Sequence, residues 1–186
     1  MLFISPFFFG FFFSFAGSIT PSMLNMTALK IRIEKGKSAV NRYAFGVSLI
    51  VIPQVYIAIL LTKYIAQNPK ILETLEKVGI LIFILLSYYF FIESKKSKKE
   101  LEVVKAKSEN SFLMGITLSS LNVFAIPFFC GIVITLDAFK LFNFNLVPII
   151  SFTFGSIVGT FYILFLYGKF AKIIQSKTGK LTKADV

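Results

Sequence analysis

Charged residues cut this chain into long apolar runs. Residues 1–29, 43–62, 110–136 and 141–168 contain no Asp, Glu, Lys or Arg. A helix of roughly 20 apolar residues crosses the ~30 Å hydrocarbon layer of a bilayer, so each run predicts a membrane span. A shorter run, Val78 to Ile92, lies between Lys77 and Glu93. It crosses if those two charges sit among the headgroups and the helix begins near Ile71. The first run has no basic leader and exceeds the roughly 7–15-residue core of a secretory signal, so it reads as a retained span. The pattern predicts an all-α integral membrane protein with five transmembrane helices.

Composition agrees. Hydrophobic residues make up 56% of the 186, above the roughly 45–50% of soluble domains. The net charge of +11 changes the picture only through where the cations fall. Lys30, Arg32, Lys35, Lys37 and Arg42 lie between spans one and two, six lysines from Lys95 to Lys107 between spans three and four, and five from Lys169 to Lys183 after span five. That places sixteen on one side and leaves four (Lys63, Lys70, Lys77 and Lys140) on the other. This is the positive-inside pattern. It predicts a multi-pass protein of the bacterial inner membrane, N-terminus outside, and accounts for the charge without nucleic acid. With no His and one cysteine, Cys130, no internal disulfide, metal centre or cofactor is expected. No nucleophile–base pair or deep carboxylate suggests an enzyme. The expected partners are the lipid bilayer and a small-molecule substrate, and the chain is compatible with a homo-oligomer.

An internal repeat comes next. Ile19 to Ala28 matches Ile116 to Ala125 at six of ten positions without a gap, and Tyr43-Ala44-Phe45-Gly46 resembles Phe152-Thr153-Phe154-Gly155. The copies begin at spans one and four, three spans apart, so they insert in opposite senses. The organisation expected is a first three-helix repeat (1–93), a charged cytoplasmic loop (94–109), a second repeat (110–168) and a basic cytoplasmic tail (169–186). Transporters built from inverted repeats bind substrate near mid-membrane, where broken helices meet. Pro21 has no amide hydrogen for the carbonyl of Gly17, and Pro127 none for that of Val123, so both helices should open there. Freed carbonyls, the Thr20 and Thr117 hydroxyls and the Asn25 and Asn122 amides are the candidate substrate ligands, with Gln54 beside Pro53. The same groups suit interhelical packing. Gly46, Gly155 and Gly159 read as sites of close helix approach. Matched depths would set Lys30 and Arg32 level with Pro127 and Phe129, lining a cytoplasmic vestibule that attracts a carboxylate; the alternative is ordinary juxtamembrane anchoring.

The residues Gly17-Ser18-Ile19-Thr20-Pro21-Ser22-Met23-Leu24-Asn25, the basic loop with Glu34-Lys35-Gly36-Lys37, then Phe45-Gly46, resemble the lysine exporter (LysE/RhtB) family. Leu121-Asn122-Val123-Phe124-Ala125 looks like that family's second signature. Pro21, Asn25, Leu121, Asn122 and Ala125 match. Ser22-Met23 stand where Gly-Pro is usual, and Val123-Phe124 where Pro-Lys is usual. The resemblance implies export of amino acids or related small metabolites through a six-span inverted-repeat bundle; the expected sixth helix has no counterpart among these residues, so either the sequence is truncated before it or this variant lacks it. The rival is a non-transporting membrane subunit that packs against a partner protein.

Overall fold

A computed structural model describes residues 3–68, 84, 87–88, 91–92, 110–122, 124–171 and 173. Among these residues the chain is helical without strands: α1 (Ile4–Gly17), α2 (Met23–Lys35), α3 (Lys37–Ala66), α4 (Ser111–Ser120), α5 (Ala125–Ala138) and α6 (Leu146–Lys169). The expected third span falls almost wholly outside the described residues, as do the loop 94–109 and most of the tail.

Among the described residues, α3 and α6 are long and apolar enough to cross a bilayer unaided, and α4 with α5 can do so as one span bent by 64°. The first uncharged run is not a single helix. It stops at Gly17, breaks over residues 18–22, and resumes as α2, which carries Lys30, Arg32 and Lys35. Pro21 sits inside that break, as its missing donor requires. Pro127 falls in the first turn of α5, where an absent amide hydrogen costs nothing because first-turn amides have no intrahelical acceptor. Gly36, at φ +88°, joins α2 to α3 as a one-residue turn that an L side chain would strain.

Burial on α3 follows the helical period: Val40, Tyr43, Ala44, Val47, Val51, Val55, Ala58, Ile59 and Thr62 face inward. The opposite face exposes Phe45, Leu49, Ile52, Tyr56, Leu60 and Leu61. An apolar outside around an inside that holds Gln54, whose side chain bonds Ser119, is the arrangement a lipid solvent dictates, because polar atoms find partners only within the bundle.

Helix directions follow from contacts along each pair. Phe3 receives the Ser151 hydroxyl, Phe7 meets Phe154, Phe11 meets Tyr162 and Ile19 accepts from Tyr167, so α1 and α6 run parallel. Phe45 stacks on Phe112, and farther along Gln54 donates to Ser119, so α3 and α4 run parallel too. Val40 packs on Gly168 at one end, while Val51 and Val55 share a cluster with Phe152 at the other; α3 and α6 are antiparallel. Each half therefore lays its broken helix on the long helix of the other half, and the two halves point in opposite directions.

Glycines fix the register. A Cβ on Gly155 would overlap the Phe7 carbonyl, and one on Gly10 the Phe152 carbonyl. In the other pair, Gly46 lies on the Phe112 carbonyl and Gly115 on that of Tyr43. These contacts relate Gly10 to Gly115, Phe7 to Phe112 and Tyr43 to Phe152. The match of Tyr43–Gly46 with Phe152–Gly155 is thus the one the packing follows. The ten-residue match is not: Ile19–Ser22 lie in the first break, whereas Ile116–Ser119 lie within α4. Small polar residues recur near helix ends for local reasons and measure register poorly. A glycine against a neighbour's carbonyl measures it well, because a larger residue does not fit.

Candidate functional site

The two breaks lie against one cavity of about 330 Å³. Its wall takes residues from every described helix: Ser14 and Gly17 of α1, Asn25 of α2, Gln54 of α3, Ser119 of α4, Ala125 of α5 and Thr160 of α6. Ser18 and Ser22 of the first break line it, as do Asn122 and Phe124 of the second. Val47, Val51, Phe129, Ile163 and Leu164 form the apolar side. The Phe128 ring reaches across from α5 to the end of α1, where Gly17 leaves it room.

The first break is fastened by side chains. Asn25, 1% exposed, donates from Nδ2 to the carbonyls of Ser18 (2.7 Å) and Thr20 (2.8 Å). The Tyr167 hydroxyl donates to the carbonyl of Ile19 at 2.7 Å. Three successive carbonyls released by the break thereby find partners within the protein, as backbone groups freed from a helix at membrane depth require. Ser22 caps α2 by accepting from the Asn25 amide at 3.4 Å, and the Tyr43 hydroxyl donates to Leu24 at 3.1 Å. The carbonyls expected to face a solute are engaged with the protein's own side chains, and Asn25 is first of all the clamp on this break.

The second break is held differently. Leu121 closes α4 on Thr117 (3.1 Å), Asn122 on Ser119 (3.1 Å), and Ala125 bonds back to Asn122 (3.3 Å). Gln54 Nε2 donates to the Ser119 carbonyl at 2.9 Å, and the Ser119 hydroxyl to Val47 at 3.3 Å. These bonds tie the end of α4 to the middle of α3, just beyond Pro53. The Asn122 side chain makes no hydrogen bond within the described residues, and the Ser14 hydroxyl, 2% exposed by residue, is buried without one.

The sequence-derived candidates divide accordingly. Asn25, Gln54 and Asn122 line the cavity. Thr20 and Pro21 belong to the first break but lie off its wall, exposed. Thr117 points away: two residues before Ser119, it is on the exposed face of α4 and donates to Leu113 at 3.0 Å. Lys30 and Arg32 are off the wall too. Lys30 pairs with Glu34 at 3.6 Å on the half-exposed face of α2. With the helix starts matched, Lys30 and Arg32 correspond to Ile132 and Ile134 rather than to Pro127 and Phe129. Ser14, Ser119 and Thr160 were not singled out from sequence. Their signal was spacing: Gly10 and Ser14, and Ser156 and Thr160, sit four apart on buried stripes.

Electrostatically the wall is neutral, since none of its residues is ionisable. Its fields come from helix ends. The starts of α2 and α5 face the breaks with first-turn amides lacking intrahelical partners, which favours anions, and the ends of α1 and α4 favour cations. The basic ends lie elsewhere. Ser38, Asn41 and Arg42 share a surface pocket with Asn110 and Phe112, and Val40 touches Gly168 beside Lys169. The α2–α3 turn, the start of α4 and the end of α6 thus open on one end of the bundle.

A family model described as LysE type translocator matches residues 15–184. No curated protein and no solved structure matches the chain.

Proposed function

The chain belongs to the LysE type translocator family, a family of membrane transport proteins, and from that premise we propose that it exports amino acids or related small metabolites by alternating access through the cavity between its two helix breaks. The observation that carries this reading is the meeting of two broken helices, from halves of opposite direction, at one cavity whose wall joins polar groups to an apolar side. Such halves have two near-equivalent ways of rocking about a shared site, one open to each side. The common end of the basic segments is assigned to the cytoplasm of a bacterial inner membrane by the positive-inside rule, which sets the N-terminus outside.

Within the site, a carboxylate suits the start of α2, with the Ser18 and Ser22 hydroxyls, because helix starts concentrate amide donors. Asn122 Oδ1 and Gln54 Oε1 are the acceptors for an ammonium. Asn25 acts by holding the break open.

Counterflow in proteoliposomes, with a panel of labelled amino acids, tests this. Asn122→Ala is expected to lower flux about 10–100-fold, the worth of one hydrogen bond to a charged group, with unchanged thermal stability because the Asn122 side chain makes no hydrogen bond among the described residues and its backbone bonds survive the change. Asn25→Ala is expected to lower both. Wild-type flux in Asn122→Ala refutes the site assignment. No flux for any amino acid from the wild type, with a co-purifying partner, favours a non-transporting subunit.

A further inference from the structure

The wall of the cavity also bears on which amino acids it takes. Given the transport reading above, we propose that the cargo is a net-neutral amino acid with an uncharged, apolar side chain, and that cationic amino acids are excluded. The cavity offers both kinds of site: amide donors for an anion at the starts of α2, beside Ser18 and Ser22, and of α5, and acceptors for an ammonium in Gln54, Asn122 and Ser14. A zwitterion uses both. The rest of the lining is Val47, Val51, Phe129, Ile163 and Leu164, with no carboxylate. A second ammonium carried on a long side chain would be buried against that wall without a counter-charge, which is strongly unfavourable.

An independent feature points the same way. The end of the bundle assigned to the cytoplasm gathers Lys30, Arg32, Lys35, Lys37, Arg42 and Lys169, and Glu34, paired with Lys30, offsets one of these six charges. A positive field at a mouth lowers the local concentration of cations and slows their arrival. Neutral zwitterions are unaffected.

The test is counterflow into proteoliposomes preloaded with unlabelled leucine or lysine, comparing labelled leucine with labelled lysine at equal concentration. Leucine exchange is expected to exceed lysine exchange by about a hundredfold or more, the discrimination set by one unpaired buried charge. Excess lysine should leave leucine exchange unchanged. Val51→Asp puts a carboxylate on the apolar wall and should raise lysine exchange at the expense of leucine. Where that variant does not insert, the wild-type ratio and the competition decide. Lysine exchange equal to that of leucine, or competition by lysine, overturns the inference and leaves the transport reading intact. Absence of exchange for both, and for the wider panel, overturns the transport reading and this inference with it.

Discussion

Gly155 offers the sharpest test of the packing. A Cβ there would overlap the Phe7 carbonyl oxygen and stand 2.9 Å from the Phe11 nitrogen, against roughly 3.5–4.0 Å for heavy atoms in good contact. Helix backbone cannot swing aside as a side chain can, so α1 and α6 must separate by roughly 1 Å. Overpacking of this kind costs about 1–3 kcal/mol, and in a bilayer close packing is much of what holds helices together. Gly155→Ala is therefore expected to lose about 1–3 kcal/mol. The same interface contains Gly10, whose Cβ would overlap the Phe152 carbonyl. Once one alanine has parted the helices, the second costs less, so the pair should be sub-additive by at least about 0.5 kcal/mol. Gly46 serves the other interface, against Phe112. Gly46→Ala with Gly155→Ala should add to within about 0.3–0.5 kcal/mol. Reversible unfolding in mixed micelles, followed by circular dichroism, measures all five proteins with wild type. An unchanged Gly155→Ala, or strict additivity of Gly10→Ala with Gly155→Ala, refutes the paired-glycine geometry.

Lys140 has φ +58° at the end of α5, where its amide bonds Asp137 and that of Leu141 bonds Leu136, both at 2.8 Å. This is a Schellman cap with lysine in the glycine place, so Lys140→Gly should stabilise by about 1 kcal/mol in the same unfolding assay. Gln54→Leu removes the bond that ties α3 to the end of α4 and should cost about 0.6–1.7 kcal/mol; an unchanged midpoint contradicts the assignment. In a Cys130→Ser background, single cysteines at Ser38 and Asn143 should react with a membrane-impermeant maleimide from opposite faces, Ser38 from the cytoplasmic one. Labelling of both from one face contradicts the bundle.

Much of the architecture could be read before any coordinates. Charge-free runs marked α3 and α6, and Pro21 marked the first break, because solvent exclusion and a missing donor act locally. What escaped was decided by neighbours. Thr117 and Ser119 are equally plausible ligands in sequence, yet a turn of two residues puts one on the exterior and the other on the cavity. Asn25 looked like a ligand and is primarily a clamp, since the carbonyls it serves are released only when the break forms. The apparent alignment of Ile19–Ala28 with Ile116–Ala125 followed chemical similarity, whereas helix contact follows the glycines at Gly10 and Gly115. Ser14 and Thr160 were hidden because small hydroxyls are ordinary on membrane helices until a cavity gives one of them a reason.

The pairing of α1 with α6 has a consequence for biogenesis. α1 precedes α6 by more than a hundred residues, so at about 5–20 residues per second the ribosome delivers its mate on the order of ten seconds later. During that delay the face of α1 that α6 will cover is without that mate, and its glycine notch at Gly10 lacks the Phe152 carbonyl that fills it. Assembly must therefore be a closing step, made once both halves have been inserted, and a chain cut between the halves would leave each without the surface that completes it.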